Sequence, residues 1–367
     1  MRPWGWALLA SALATVAGFA GACFVLAPVA PPPASGPLAV RNRPIPFPRP
    51  AGDQRPTALA RLWYPAPRAA NEDAAQRLPI LIYFPGWDAT AIDNRTLVRD
   101  LASHGFAVVA LRYPTAREAS RSNGPAGLRS EPPGAMDFSS DAALDRTIRL
   151  ADGKVRGRAR DAVDMLDRLE QLASTPMPDP LPPLAFDRVG ILGFSLGGAS
   201  AVQAAWMDGR FKAVANIDGW LFADSAPQGI PQPYLVISDD EPLPTDADLM
   251  ADDPSHRNSA RLDRDDLDRE IRGLERHGGA MMTIRGTLHL NFSDAAFRPR
   301  LRGMAGLGPI DRRRGYRILE TYTRAFFARW LQDAPTPLFD GPSPLYPEVD
   351  LQVWHRPEAK PAAANTD

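Results

Sequence analysis

From about residue 40 onward, short apolar runs alternate with longer stretches in which apolar positions recur every three or four residues. The runs at 58–64, 80–84, 106–111, 189–192, 214–217, 234–237 and 281–284 predict strands. Several are unbroken Val/Ile/Leu segments, the pattern of strands covered on both faces in a parallel sheet. Helices are predicted between them: 96–103, closed by Gly105; 160–172, with Ala162, Leu166, Leu169 and Leu172 on one face; and 262–277, ahead of Gly278 and Gly279. A last helix over 316–332 places Ile318, Tyr322, Phe326 and Trp330 four apart, as one stripe against the core. This order predicts βαβ units, hence an α/β fold with a mostly parallel central sheet flanked by helices. Residues 114–145 show no clear period, and 238–263 are acidic and contain proline. Long loops of this kind in an α/β domain are usually functional rims or disordered excursions. Neither an internal repeat nor a second domain is visible.

The first forty residues follow another rule. No charge occurs between Arg2 and Arg41, and 4–27 is apolar apart from the hydroxyls of Ser11 and Thr15. Twenty-four helical residues would reach about 36 Å, against about 30 Å for a bilayer core. Residues 1–30 therefore read as a cleaved export signal or a retained membrane anchor. Ala20-Gly21-Ala22 before Cys23 offers small residues for a signal peptidase, with lipidation of Cys23 as a third reading. The expected layout is this segment, a Pro-rich spacer at 31–55, a catalytic domain at 56–335 and a C-terminal extension at 336–367. The domain is expected outside the cytoplasm, periplasmic or tethered to a membrane.

Charge narrows the partners. Forty-two Lys and Arg against 43 Asp and Glu leave −1, without the basic excess that nucleic-acid binding requires. The single cysteine excludes an intramolecular disulfide framework and a Cys-rich zinc site.

The sharpest motif is Gly193-Phe194-Ser195-Leu196-Gly197-Gly198, where an apolar strand runs into Gly-x-Ser-x-Gly and then a small-residue helix. A serine hydroxyl needs a base to become a nucleophile, and a sharp strand-to-helix turn holds it where a base can reach. The spacing does not fit the dinucleotide pattern Gly-x-Gly-x-x-Gly. In this motif's fold the acid and then the histidine follow the serine. Of the five histidines, His104 precedes Ser195, His256 and His277 lie in charged stretches, and His355 lies in a polar tail. His289 alone follows a predicted strand through a short Gly286-containing loop, as a loop-borne base should. Two strand ends offer an acid: Asp218, followed by the apolar Gly219-Trp220-Leu221-Phe222, and Asp239 with Asp240, in what reads as a solvated acidic loop. An oxyanion hole needs two backbone N–H groups. Leu196 should supply one, and Trp87, in the turn after 80–84, the other.

Three segments together resemble the platelet-activating-factor acetylhydrolase family of α/β-hydrolases, with dienelactone hydrolase-like relatives. They are Gly193-Phe-Ser-Leu-Gly197; Asn216-Ile-Asp218-Gly-Trp-Leu-Phe222, an Asp-x-Trp-x-Phe pattern; and Thr283-Ile-Arg-Gly-Thr-Leu-His289-Leu-Asn-Phe-Ser-Asp294, a Gly-x-x-His-x-x-Phe-x-Asp pattern. The likeness runs from about residue 59 to 331. It implies the α/β-hydrolase fold, Asp218 as the acid and ester hydrolysis through an acyl-enzyme, with no cofactor or metal. The turn departs from the family, which often carries Ser-His-Gly-Leu where this chain has Phe84-Pro85-Gly86-Trp87. Trp87, Trp220, Phe222 and Leu288 flank the candidate groups, so a small or medium acyl group in an apolar pocket is expected, on a small-molecule or lipid-like ester. Thioester, lactone and peptide cleavage would use the same triad. A membrane-tethered binding protein without turnover is the more distant alternative.

Overall fold

Among the described residues the strands assemble into one nine-stranded sheet in the order β1-β2-β4-β3-β5-β6-β7-β8-β9. The computed structural model describes residues 29–66, 77–87, 94–122, 127–132, 134–298 and 306–356. The strands are β1 (Val40–Ile45), β2 (Leu59–Pro65), β3 (Leu78–Phe84), β4 (Ala107–Arg112), β5 (Leu184–Phe194), β6 (Phe211–Ile217), β7 (Tyr234–Ser238), β8 (Gly279–Ile284) and β9 (Val349–Trp354). Pairing from β4 through β8 is parallel, while β1, β2 and β9 join antiparallel at the two margins.

The parallel middle is where the unbroken apolar runs lie, because both of its faces are covered. Side chains alternate across a strand. On β3, Ile80, Ile82 and Phe84 therefore enter one apolar layer while Leu81 and Tyr83 enter the other. Helix α3 (Asp141–Ser174) closes the first layer with Ala159, Ala162, Met165, Leu166 and Leu169. Helices α1 (Arg95–Ser103) and α7 (Arg312–Leu331) close the second with Leu97, Leu101, Ile318, Tyr322 and Phe327. A short helix α2 (Ala116–Arg121) follows β4, and α4 (Leu196–Met207) follows β5. Beyond β7 come α5 (Asp246–Leu249) and α6 (Pro254–His277), the latter capped by Asp253 with Pro254 in its first turn.

The structure differs from the sequence expectations in four places. β1 falls inside the stretch read as a spacer and β9 inside the stretch read as an extension, so the folded body reaches beyond 56–335 on both sides. Much of the spacer is also docked: Arg317 donates to the Pro33 carbonyl, Ser35 bonds Asp100, and Gly36 bonds Ser103. Helix α3 begins about twenty residues before the predicted 160–172, and α6 eight residues before 262. Trp330 is 47% exposed rather than in the core. Steps of four residues advance about 400°, so the row drifts by about 40° at each step and leaves the buried face by the fourth member.

The signal or anchor reading of 1–30, with Cys23, lies almost wholly outside the described residues. Among the described residues no helix is long and apolar enough to cross a membrane.

Candidate active site

Ser195 sits where β5 gives way to α4, at φ 56° and ψ −129°, a conformation uncommon for a residue with a side chain. The flanking glycines make the turn sterically feasible. A Cβ on Gly193 would run into the Gly197 carbonyl, one on Gly197 into the Phe84 carbonyl, and one on Gly198 into the Asn216 side chain. The Ser195 N–H donates to the Ile217 carbonyl at 2.8 Å, fixing the elbow to the end of β6. Leu196 opens α4 with its side chain buried.

Asp218 follows β6 and is also held at positive φ, 56°, with its N–H on the Ile237 carbonyl at 2.7 Å. Its Oδ1 accepts the Asp239 N–H at 2.9 Å, and its Oδ2 meets His289 Nδ1 at 2.5 Å. His289 starts a short 3-10 turn (His289–Phe292) after β8. Its ring stacks on Phe194, the residue before Ser195, with centroids 4.7 Å apart and planes 28° from parallel. The histidine loop is tied at several points. Gly286, at φ 78°, donates its N–H to Asp240, and the Asn291 side chain accepts the N–H groups of Leu288 and Gly308. Phe292 is fully buried, and Asp294 bonds the Thr96 N–H and the Tyr316 hydroxyl. The other histidines lie elsewhere: His104 meets Ser35 and Arg324, His256 meets Asp248, His277 meets the Gln228 carbonyl, and His355 is exposed beyond β9.

Burial works against a charged imidazole at His289. The Asp218 hydrogen bond and the charges of Asp218, Asp239 and Glu241 outweigh it, so the imidazole pKa lies above its ordinary value. Asp239 differs from the solvated-loop reading. It is half-buried behind Asp218, and burial together with the Asp218 charge pushes its carboxyl up to about 7. Asp240 is exposed but engaged by Gly286.

The turn after β3 abuts the elbow, since a Cβ on Gly86 would lie 3.4 Å from Ser195 Cβ. Trp87 lies half-buried there, with its indole N–H on the Gly134 carbonyl at 2.8 Å and its ring 4.9 Å from Lys154 Nζ. Behind the turn, buried Arg158 donates to the carbonyls of Pro85, Gly86 and Trp87 and to Glu131. Sequence reasoning passed over Arg158 and Glu131, because one lies on α3 just ahead of the predicted 160–172 and the other in a loop.

An apolar cluster next to the elbow gathers Leu196, Ala199, Phe222 and Leu262, with Trp87 and Trp220 packed against it. Trp220 is held by its indole N–H on Asp263 at 2.9 Å and by an edge contact with Phe138. Leu288, the remaining pocket candidate, is not part of that cluster. It is half-buried at the start of the histidine turn.

The chain is similar to known proteins in both sequence and shape. Residues 56–332 match the family model described as platelet-activating factor acetylhydrolase, isoform II. A platelet-activating factor acetylhydrolase from Bos taurus is 27% identical over 64% of this chain and 52% of its own length. A probable 1-alkyl-2-acetylglycerophosphocholine esterase from Arthroderma benhamiae is 25% identical over 74% of this chain and 65% of its own. The chain thus spans between half and two thirds of the length of these curated relatives. Among solved structures, a ferulic acid esterase from Streptomyces cinnamoneus shares the fold, with a TM-score of 0.61 and 22% identity over 88% of this chain and 98% of that one. With three quarters of its length covered by the family model, the chain belongs to the platelet-activating factor acetylhydrolase, isoform II, family of α/β-hydrolases.

Proposed function

We propose that this protein is a serine hydrolase of carboxylic esters. The observation that carries the reading is the 2.5 Å contact of Asp218 with His289 Nδ1, on a ring stacked against the residue that precedes the strained Ser195. With Nδ1 engaged, Nε2 is the nitrogen left to take the serine proton. Ser195 Oγ attacks the ester carbonyl as its proton passes to His289, and Asp218 stabilises the imidazolium. The tetrahedral oxyanion is received by the N–H groups of Leu196 and Trp87, the former at the positive end of α4. His289 returns the proton to the leaving alkoxide, and water then releases the acyl group by the same steps in reverse roles.

The cluster of Leu196, Phe222, Trp87 and Trp220 supports an apolar acyl site of limited size. The relatives' names, acetylhydrolase and alkylacetylglycerophosphocholine esterase, support a short acyl group on a phospholipid-like alcohol. The uncharged apolar stretch at 4–27 supports export, as a cleaved signal or as an anchor near lipid.

The test is a rate series on p-nitrophenyl acetate, butyrate and decanoate, a 1-alkyl-2-acetylglycerophosphocholine, a thioester and a lactone. Acetyl and butyryl esters should lead, with no turnover by Ser195→Ala. Faster decanoate hydrolysis would refute the small pocket, and a thioester or lactone lead would reassign the substrate.

A further inference from the structure

Arg158 is 1% exposed, and its guanidinium is saturated by backbone and carboxylate acceptors. Nη1 donates to the Pro85 carbonyl at 2.8 Å and to the Gly86 carbonyl at 3.1 Å, and Nη2 donates to the Trp87 carbonyl at 3.3 Å. Nε and Nη2 each reach a different oxygen of Glu131, both at 2.7 Å. The Tyr113 ring covers the guanidinium at 4.8 Å. One turn earlier on α3, Lys154 also bonds Glu131 while its ammonium lies over the Trp87 ring. Burial disfavours charge on Arg158 and Glu131. Their mutual attraction and hydrogen bonds outweigh it, holding Glu131 below the usual carboxylate range and the guanidinium above its own.

The consequence lies in one peptide unit. The Gly86 carbonyl and the Trp87 N–H belong to the same planar trans amide, so they point in opposite directions. Where Arg158 holds the carbonyl, the N–H must face away from α3. We propose that Arg158, neutralised by Glu131, is the positioning residue of the oxyanion hole: it turns and polarises the Gly86–Trp87 amide so that the Trp87 N–H meets the developing oxyanion. The inference rests on the hydrolase reading above. A planar guanidinium fork can hold neighbouring carbonyls at once, which an ammonium cannot. A cation at the carbonyl end also strengthens the amide as a donor at its other end.

The experiment compares wild type with Arg158→Lys, which keeps the charge and loses the fork, and with the double variant Arg158→Met/Glu131→Gln, which removes cation and anion together. Rates are expressed per mole of folded enzyme, with Ser195→Ala run in parallel. The readouts are kcat and KM on p-nitrophenyl acetate and the affinity of a trifluoromethyl ketone, which binds as a tetrahedral adduct. Removing one oxyanion donor outright costs about 100- to 1000-fold. A loosened donor should therefore cost about 10-fold in Arg158→Lys and about 100-fold in the double variant, in kcat, with KM within about twofold. Ketone affinity should fall by the same factor as kcat/KM. A kcat within about twofold of wild type in folded Arg158→Lys, or a kcat loss without loss of ketone affinity, overturns the proposal. If Ser195→Ala retains turnover, the hydrolase reading itself fails, which is a different result from an inactive Ser195→Ala beside a fully active Arg158→Lys.

Discussion

Two helices flank the elbow, and each buries ionisable side chains by a different rule. On the side of the Trp87 turn, α3 buries Arg158 and Lys154 against Glu131, so opposite charges meet. On the side of Asp218, α6 turns Asp263, Asp266 and Glu270 inward at spacings of three and four, and there they bond neutral donors. Asp263 accepts the Trp220 indole, Asp266 the Leu221 N–H, and Glu270 the Asn216 amide and the Tyr234 hydroxyl. Burial pushes these carboxyls up to about 6, 7 and 8. A carboxylate with a buried cation beside it stays charged, whereas carboxyls among neutral partners escape the cost of burial by taking up a proton. Both arrangements support a piece of the site: α3 holds the turn of Trp87, and α6 holds the segment from Asn216 to Phe222 that carries Asp218.

The largest expected effect separates the two carboxyls near His289, Asp218 and Asp239. Asp218→Asn should lower kcat about 10⁴-fold, because the imidazole loses the partner that sets its tautomer. Asp239→Asn should stay within about fivefold, since Asp239 touches Asp218 only through its own N–H. Equal losses on p-nitrophenyl acetate would mean that the acid is shared.

The same Glu→Gln change then separates the two flanks in stability. Glu131→Gln removes the buried carboxylate that faces Arg158 and Lys154 and should cost about 3–5 kcal/mol in urea unfolding. Glu270→Gln removes no cation's partner, and at pH 6 it should stay within about 1 kcal/mol of wild type. The signs against pH are opposite. Glu131, lowered in the folded state, stabilises above the ordinary glutamate range, and that contribution fades as acid approaches its folded pKa. Glu270, raised to about 8, costs nothing in acid, and its burial becomes progressively destabilising as pH climbs from the ordinary glutamate range through 8. Glu270→Gln should therefore be more stable than wild type at pH 9. A melting series in which both variants show the same pH slope would dissolve the distinction.

A smaller effect should appear in the pH–rate profile. The proposed base, His289, would work as neutral imidazole, so kcat/KM should rise with pH through a midpoint above the ordinary histidine value, as the raised pKa of His289 requires. Asp239→Asn removes one of the charges that raise it, and the midpoint should move down. An upward move would contradict the assigned electrostatics.

What could be read from the chain follows the range of each signal. The elbow is local, since Gly193, Ser195 and Gly197 and the strand before them are contiguous, and the parallel strands announce themselves as apolar runs. The outermost strands were silent: β1, with Arg41, Arg43 and Pro44 in six residues, has the polar, proline-bearing character of a protected edge strand, which no alternation reveals. The part of α3 ahead of residue 160 was silent for another reason. Lys154 and Arg158 face inward, so inward charges read as a solvated face until Glu131 and Tyr113 are seen against them. The proximity of Asp239 to Asp218 depends on the adjacency of β6 and β7, and the sequence around Asp239 carries only its acidity.

Every proposed step at this site depends on Ser195 as the nucleophile. Its most direct test is a fluorophosphonate adduct mapped by peptide mass spectrometry in wild type, Ser195→Ala and His289→Ala. One stoichiometric adduct is expected on Ser195, none in Ser195→Ala, and labelling slowed by several powers of ten in His289→Ala. An adduct on another residue, or labelling that persists in Ser195→Ala, would rule out Ser195 as the nucleophile.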